Sequence, residues 1–295
     1  MGYENRDIPE GINVSKAHPL KEFAWLAAGL IILVVFSVLV LSLMAEHLTR
    51  YIPFSLEQKA TASVSKRYAD EHPLNQQQQE VQTYLQTLAD TLVVNQGLDD
   101  DMSITVHYVD DDTVNAFATL GGHVIIFKGL LQKMPHENAL SMVMAHEIAH
   151  IKHRDPIISL GRGLTVYLAL SSIVGIGNNS TFEQVLGQTG LLTMMSFSRE
   201  QESAADRTAL LTLKRYYGHL KGAATLFKLL QKEEAEHSAP SFFNSHPLTK
   251  DRIKAVMGFA KSIKAPADST VKAFPDNIHK ALRPPAETLE KAENQ

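Results

Sequence analysis

Two histidines and a glutamate form the most informative motif of the chain, because their spacing suits metal chemistry. His146, Glu147 and His150 match the pattern H-E-x-x-H. On a helix, residues four positions apart share a face, so both imidazoles can reach one metal ion. Glu147 follows the first histidine and can accept a proton from water on the open side of that metal. The motif predicts a zinc-dependent hydrolytic site, although so short a pattern also occurs by chance.

The residues around the motif predict a buried helix. Between Ala139 and Ile151 nearly every side chain outside the motif is apolar, and a helix that is apolar on all sides is usually buried. Burying these polar groups without partners would cost about 1–3 kcal/mol each, and a bound cation removes that cost. The alternative is a helix whose histidines bond to backbone groups. His153 is not expected to be a ligand, because residues 153–156 predict the end of the helix at a proline.

The third metal ligand has to come from elsewhere in the chain. One group of zinc peptidases uses the extended pattern H-E-x-x-H-x-x-G-x-x-H. Here the glycine position holds His153 and the last histidine position holds Pro156. A glutamate on a second helix is the other common solution, with water at the fourth position.

Residues 198–206 offer that glutamate. Glu202 and Asp206 are four residues apart and share a helical face, so Glu202 can bind zinc while Asp206 accepts a hydrogen bond from His146. Glu200 is the rival ligand, but no carboxylate follows it four residues later. The alternative for Glu202 is a solvated charge pair with Arg199.

At this point the sequence resembles a known family, the gluzincins of the CAAX prenyl endopeptidase and the heat-shock peptidase HtpX. That family also includes periplasmic peptidases of bacterial envelope quality control. The resemblance spans residues 55–262 and covers neither the first fifty residues nor the tail. It rests on four motifs: Asn115-Ala116-Phe117, His146-Glu147-x-x-His150, Glu202-x-x-Ala205-Asp206 and His246-Pro247-x-x-x-x-Arg252-Ile253.

The resemblance implies a role for each matched residue. One Zn²⁺ per chain would bind to His146, His150 and Glu202, and Glu147 would act as the general base. His246 would face the zinc, where it either donates to the oxyanion or fills the fourth position in a latent state. Arg252 would support His246 or bind the substrate backbone.

The Asn115-Ala116-Phe117 stretch suggests how a substrate binds. If it lies along the cleft at the edge of a sheet, an extended peptide can pair with it as an added strand. Main-chain hydrogen bonds would then hold protein or peptide substrates. The alternative for Phe117 is a buried core residue, because aromatic side chains commonly fill strand positions.

Composition limits the possible classes of protein. The 295 residues are 44% hydrophobic and 20% charged, as in a globular domain with one membrane segment. The net charge of −4 gives no indication of a nucleic-acid surface. There is no cysteine, which excludes disulfides, a thiolate zinc site and a cysteine nucleophile.

Residues 23–45 carry no charge and are long enough for a transmembrane helix of about 20 residues. The alternative, a cleaved signal peptide, has an apolar region of only about 7–15 residues. Slightly more basic residues lie before the uncharged run, in the polar segment 1–22, than closely after it. This predicts a single-pass membrane protein with a cytoplasmic N-terminus and an exported catalytic domain. The family resemblance implies that the membrane is the bacterial inner membrane and that the catalytic domain is periplasmic.

The predicted fold class is α+β, a mainly helical zincin-like domain with a small sheet. The domain is expected at residues 53–262, and the tail 263–295 is expected to be disordered or loosely docked. The uncharged run from Gly163 to Gly177 is interpreted as a buried hairpin with residues 191–197. The predicted elements are a helix at 76–95, strands at 102–109, 113–118 and 123–127, and the zinc helix at 137–153. The last two strands are joined by Thr119-Leu120-Gly121-Gly122, which predicts a β-hairpin.

Together these observations predict a membrane-anchored zinc endopeptidase that hydrolyses peptide bonds with metal-activated water, in envelope protein quality control. Two alternatives stay open. One is a membrane-anchored chaperone or assembly factor with a latent or structural zinc site. The other is a non-catalytic envelope interaction protein in which H-E-x-x-H occurs by chance.

Overall fold

The computed structural model describes residues 19–49, 51–174, 197–225, 227–229, 246 and 249–282. These residues form mostly helices and one small three-stranded sheet, which confirms the predicted α+β class. The first elements are α1 (Pro19–Thr49), α2 (Phe54–Glu71), α3 (Gln76–Gln96), β1 (Thr105–Val109), β2 (Ala116–Thr119), β3 (His123–Phe127) and α4 (Lys128–Lys133). The later ones are α5 (Glu137–Lys152), α6 (Asp155–Val174), α7 (Arg199–Tyr217), α8 (Lys250–Ser262) and α9 (Asp276–Ala281).

The sheet has the order β1-β3-β2, so β2 is an edge strand. Strand β1 runs parallel to β3, and β2 runs antiparallel to it with Phe117 opposite Ile125. A short turn at Leu120–Gly122 joins β2 to β3, as the predicted hairpin requires. Strand β2 begins later than predicted, because Thr113 donates its backbone N–H to the Asp111 carboxylate (2.7 Å) and keeps the chain in a turn.

Helix α5 lies at the centre of the core. Every residue from Glu137 to Ile151 is buried, as the apolar pattern predicts. The sheet packs one face on α5, because alternate residues such as Val124 and Ile126 point inward. Helices α3 and α7 also contact α5. Each fully buried leucine at these contacts, such as Leu85, contributes about 1.5–3 kcal/mol.

Helix α1 is exposed and apolar. Its stretch Pro19–Leu41 has a mean hydropathy of 2.8 and is not buried against the rest of the protein. This makes it the candidate membrane span among the described residues. Length and composition alone support that span, and a signal sequence has the same properties, so anchoring through 23–45 stays a prediction.

Helix α6 continues to Val174 and lies against α1. It covers most of the uncharged run that begins at Gly163. The predicted hairpin partner, residues 191–197, lies outside the described residues except for Phe197, which is buried. That hairpin therefore stays a prediction.

Residues after the predicted domain boundary at residue 262 also contact the helices of the domain. The backbone N–H of Glu137 donates to the Lys272 carbonyl (2.9 Å), and the Lys272 N–H donates to the Asn138 side chain (2.7 Å). Ile278 is only 2% exposed. Residues 272–282 thus lie against the start of α5 and against α3, whereas residues after 282 lie outside the described part.

A pair of half-buried histidines lies on the other face of the sheet. His107 on β1 and His123 on β3 bring their ring nitrogens to 2.9 Å. Burial, and then the neighbouring His123, lower the pKa of His107 to about 4. Since an unfolded histidine has a pKa near 6.5, the unfolded chain binds more protons between these values. The resulting stability is present above about pH 6.5 and is lost as the pH falls towards 4.

We expect His107→Gln to reduce the pH dependence of stability in this interval. With the partial exposure of His107 taken into account, protonation of this group should lower the free energy of unfolding of the wild-type protein by about 2 kcal/mol as the pH falls towards 4. The free energy of unfolding of the variant should fall less. Urea unfolding from neutral pH to about pH 4 measures the difference. Substitution of the exposed His279 by Gln is the control. Equal pH slopes for wild type and His107→Gln would contradict the prediction.

Candidate metal centre and active site

The predicted catalytic and metal-binding residues converge from four places in the fold. Helix α5 supplies His146, Glu147 and His150, and α7 packs beside it. The side chain of Ser198 caps α7 and the Gln201 side chain bonds back to the Ser198 N–H. This capping box fixes the helix start so that the second turn faces α5. The remaining predicted residues are Glu202 and Asp206 on α7, His246, and Arg252 on α8.

Four side chains could hold one metal ion. The Nε2 atoms of His146 and His150 lie 3.0 Å apart. Nδ1 of His246 lies 3.3 Å from His146 Nε2 and 2.9 Å from Glu202 Oε1. One ligand atom from each of the four residues lies within 4.8 Å of all the others, and all four side chains are buried.

The chemistry of this donor set fits a divalent cation. His146 Nδ1 lies 3.0 Å from Asp206 Oδ1, and His150 Nδ1 lies 2.8 Å from Asp155 Oδ2. Because a carboxylate accepts hydrogen bonds, each Nδ1 atom that faces one carries the proton of its ring. Each Nε2 atom is then left with a lone pair. Two lone pairs 3.0 Å apart repel each other unless a cation or a proton lies at them. Nitrogen and carboxylate donors of this kind suit zinc.

Arg252 holds the carboxylates of α7. Its Nε and Nη2 donate to Asp206 Oδ2 (2.8 Å) and Oδ1 (2.9 Å), and its Nη1 lies 2.5 Å from Glu202 Oε2. Burial raises the pKa of Asp206, but the hydrogen bonds from His146 and Arg252 outweigh it and lower that pKa below its ordinary value. The structure thus places Arg252 on the two carboxylates, a contact that the sequence did not predict.

Glu202 is likewise kept ionised. Burial raises its pKa, but His246 and His146 outweigh burial and hold the pKa well below the usual range. Only 1% of Glu202 is exposed, whereas its rival Glu200 is exposed. The geometry therefore favours Glu202 over Glu200 as the carboxylate ligand.

Glu147 lies between the edge strand and His246. Its Oε2 accepts a hydrogen bond from the Ala118 N–H (2.8 Å), and its Oε1 lies 3.4 Å from His246 Nε2. Burial raises the pKa of this carboxyl, partly offset by His246 and His146. A raised pKa suits a general base, because proton transfer is most effective when the pKa lies near the working pH.

The free edge of β2 faces Glu147. The Asn115 carbonyl accepts from the Phe127 N–H (3.2 Å), towards β3, so the main-chain groups of Ala116 and Ala118 point to the open edge. The hydrogen bond from Ala118 to Glu147 confirms this direction. The side chain of Phe117 is half-buried and lies against Phe127, with ring centres 6.1 Å apart. Binding of a peptide along this edge stays a prediction.

The residues that hold His150 were not predicted from the sequence. Asp155 accepts from His150 Nδ1 and, through its other oxygen, from the Gln201 side chain (2.8 Å). The Phe197 ring stacks on His150 at 3.9 Å. Asp155 follows the predicted helix end, and α5 does end at Lys152. The sequence signal that could have indicated Asp155 is its position just past the predicted end of the zinc helix. A chain that reverses direction there brings such a carboxylate back to the last turn of that helix.

Comparison with known proteins identifies the family. Residues 75–260 match peptidase family M48. The chain belongs to this family. The match covers the sheet, the α5 motif, Glu202, Asp206, His246 and Arg252, and it confirms the resemblance inferred from the four sequence motifs.

Named relatives of this M48 chain match over part of their length. The mitochondrial metalloendopeptidase OMA1 of Schizosaccharomyces pombe is 31% identical over 178 residues, 59% of this chain and 51% of the relative. The beta-barrel assembly-enhancing protease of Escherichia coli is 31% identical over 156 residues, 49% of this chain and 32% of the relative. That of Yersinia pestis is 27% identical over 198 residues, 61% and 39% of the two chains. The aligned region thus covers about half or less of these relatives.

We expect removal of the Asp155 carboxylate to weaken metal binding. Asp155→Ala frees the His150 ring to rotate, so zinc affinity should fall about 10–100-fold. Asp155→Asn keeps one acceptor oxygen and should lose less. Competition with a chromophoric chelator measures the affinity, and Asp90→Asn, at an exposed position of α3, is the control. Wild-type affinity in Asp155→Ala would show that this carboxylate does not orient the ligand.

Proposed function

We propose that this M48 protein is a zinc-dependent endopeptidase. The observation that carries the proposal is one buried arrangement: His146, His150 and Glu202 converge on a point, and Glu147 lies between that point and the open edge of β2. These are the parts that peptide hydrolysis requires, namely a metal-binding set, a base and a peptide-binding edge.

His146, His150 and Glu202 would hold the zinc, and His246 is available as a fourth donor. When bound, zinc supplies a Lewis acid that polarises the scissile carbonyl and lowers the pKa of water to about 7. Glu147 accepts the proton of the attacking water at its carboxylate and passes it to the leaving amine. General acid–base steps of this kind contribute about 10²–10⁴-fold.

The substrate would bind as an extended strand along β2. Ala116 offers outward main-chain groups, while the outward N–H of Ala118 is bonded to Glu147. A substrate that pairs with Ala118 therefore competes with Glu147 for this N–H. Binding would release the carboxylate from the strand and make it available to water.

The position of His246 supports a second candidate function. Its Nδ1 lies 2.9 Å from Glu202 Oε1 and 3.3 Å from His146 Nε2. In that position His246 would complete the metal site and occupy the place that substrate needs. A membrane-anchored chaperone or assembly factor with a latent or structural zinc site would have this arrangement.

The cellular setting of the proposal is protein quality control at a membrane. The names of the relatives place one in mitochondria and connect another with beta-barrel assembly. Helix α1 would anchor this chain in a bacterial inner membrane. The basic residues Arg6, Lys16 and Lys21 precede its uncharged run 23–45, which favours a periplasmic catalytic domain.

The test compares wild type with Glu147→Gln in the full-length protein. We expect casein cleavage to fall about 10²–10⁴-fold, while zinc content stays at one ion per chain, because Glu147 is not a ligand. His146→Ala should lose the zinc as well. Glu200→Gln, an exposed glutamate of the same helix as Glu202, should keep both properties.

Unchanged cleavage in Glu147→Gln would contradict the peptidase proposal. The same variant separates the two candidates. A chaperone would suppress aggregation of an unfolded protein equally well with and without the Glu147 carboxylate, and neither form would cleave it. A peptidase, in contrast, loses its turnover when the Glu147 carboxylate is removed.

A further inference from the structure

The chain that leaves α1 is bonded to the turn that follows the zinc-binding helix. Nη2 of Arg154 donates to the Ile52 carbonyl (2.8 Å) and also forms an ion pair with Glu57. The guanidinium carbon lies 5.5 Å from the centre of the Phe54 ring. We call residues 52–61 the connector segment; it begins three residues after the end of α1.

Arg154 has a strained backbone that shapes this turn. Its φ is +64°, and among the described residues it is the one non-glycine residue with a positive φ. A side chain disfavours this left-handed conformation, so surrounding contacts have to hold it. The conformation turns the chain from α5 into α6 and brings Asp155 back to His150 at 2.8 Å.

The same connector segment contacts the turn between β2 and β3. Oε2 of Glu57 accepts from the Gly121 N–H at 3.3 Å. Gly121 has a φ of +74°, and a Cβ there would lie 2.3 Å from Thr61 Oγ1 and 3.1 Å from the Glu57 carbonyl oxygen. Only glycine fits this close approach. The turn directly follows β2, whose open edge faces Glu147.

Glu57 therefore joins two parts of the site through its two carboxylate oxygens. One oxygen pairs with Arg154, next to the residue that orients His150, and the other accepts from Gly121 at the end of β2. Only 6% of the Glu57 side chain and 13% of the Arg154 side chain are exposed. Burial at this level weakens solvent screening and makes the pair more rigid than a surface ion pair.

We propose that the connector segment positions both halves of the active site. Arg154 is a positioning residue for the metal ligand His150 and acts through Asp155. Glu57, with Gly121, positions the β2 edge for substrate. The substrate half rests on the proposed peptidase function, whereas the metal half does not. Because the segment directly follows α1, the same contacts set the site at a fixed distance from that helix.

The test uses two variants of the full-length protein that affect the two halves separately. Arg154→Gly suits the left-handed backbone but removes the side-chain contacts. We expect zinc affinity to fall about tenfold and kcat for casein to fall, with little change in KM. Gly121→Ala strains the β2–β3 turn, so KM should rise severalfold while zinc affinity stays at the wild-type value.

Two further variants give the controls. Arg154→Lys can keep a hydrogen bond to Ile52 and the charge pair with Glu57, so it should recover most of the zinc affinity. Arg215→Met removes an arginine that bonds the Asn95 carbonyl between α7 and α3, far from the connector segment, and should change neither zinc affinity nor KM.

The outcomes separate the possible explanations. Wild-type zinc affinity in Arg154→Gly would overturn the metal half, and wild-type KM in Gly121→Ala would overturn the substrate half. Parallel loss of both properties in both variants, with a lower Tm, would reduce the connector segment to a purely structural role.

If wild type does not cleave casein, the proposed function fails, while the zinc titration still decides the metal half. If Arg154→Gly does not fold, Glu57→Gln weakens the same ion pair and should show the same loss of zinc affinity.

Discussion

The repulsion between two buried imidazoles is the constraint on which the site depends. His146 and His150 direct their Nε2 atoms at each other across 3.0 Å in a helix that is buried along almost its whole length. Carboxylates hold both Nδ1 atoms, so neither ring can turn away without losing a hydrogen bond. Only positive charge at the shared point satisfies this arrangement. Glu202 and His246 reach the same point, and this set of four donors fits a metal ion better than a core histidine pair.

Charge balance leads to the same conclusion. Within the described site, the carboxylates of Glu147, Asp155, Glu202 and Asp206 are buried, and the buried guanidinium of Arg252 pairs with the last two. Buried charges are costly unless they are paired. A divalent cation reduces the excess negative charge, and Arg252 fixes the two carboxylates of α7 in place. Folding and metal binding are therefore expected to be coupled.

Local periodicity explains which parts could be predicted from the sequence. The helical repeat places His146 and His150 on one face, and the same repeat pairs Glu202 with Asp206. The hairpin followed from a Gly-Gly turn between apolar strands. These features depend on residues close in the chain. The assignment of His246 and Arg252 came from resemblance, because contacts between residues that are 44 to 100 positions apart leave no local pattern.

Two features show why the rest could not be predicted. Asp155 reaches His150 only because Arg154 adopts a left-handed conformation, and no glycine or asparagine marks that turn. The docking of residues 272–282 depends on backbone bonds such as that from Glu137 to Lys272. Backbone groups are the same in every residue, so a sequence pattern cannot reveal which of them pair over a long distance.

X-ray absorption at the zinc edge of the purified full-length protein tests the central claim most directly. We predict one zinc ion per chain, bound by nitrogen and oxygen atoms with the scattering of two imidazoles, or of three if His246 is also bound. Two imidazoles would mean that His246 is not a ligand in the resting protein, while the site of His146, His150 and Glu202 would stand. Absence of zinc, or a spectrum with fewer than two imidazoles, would contradict the account.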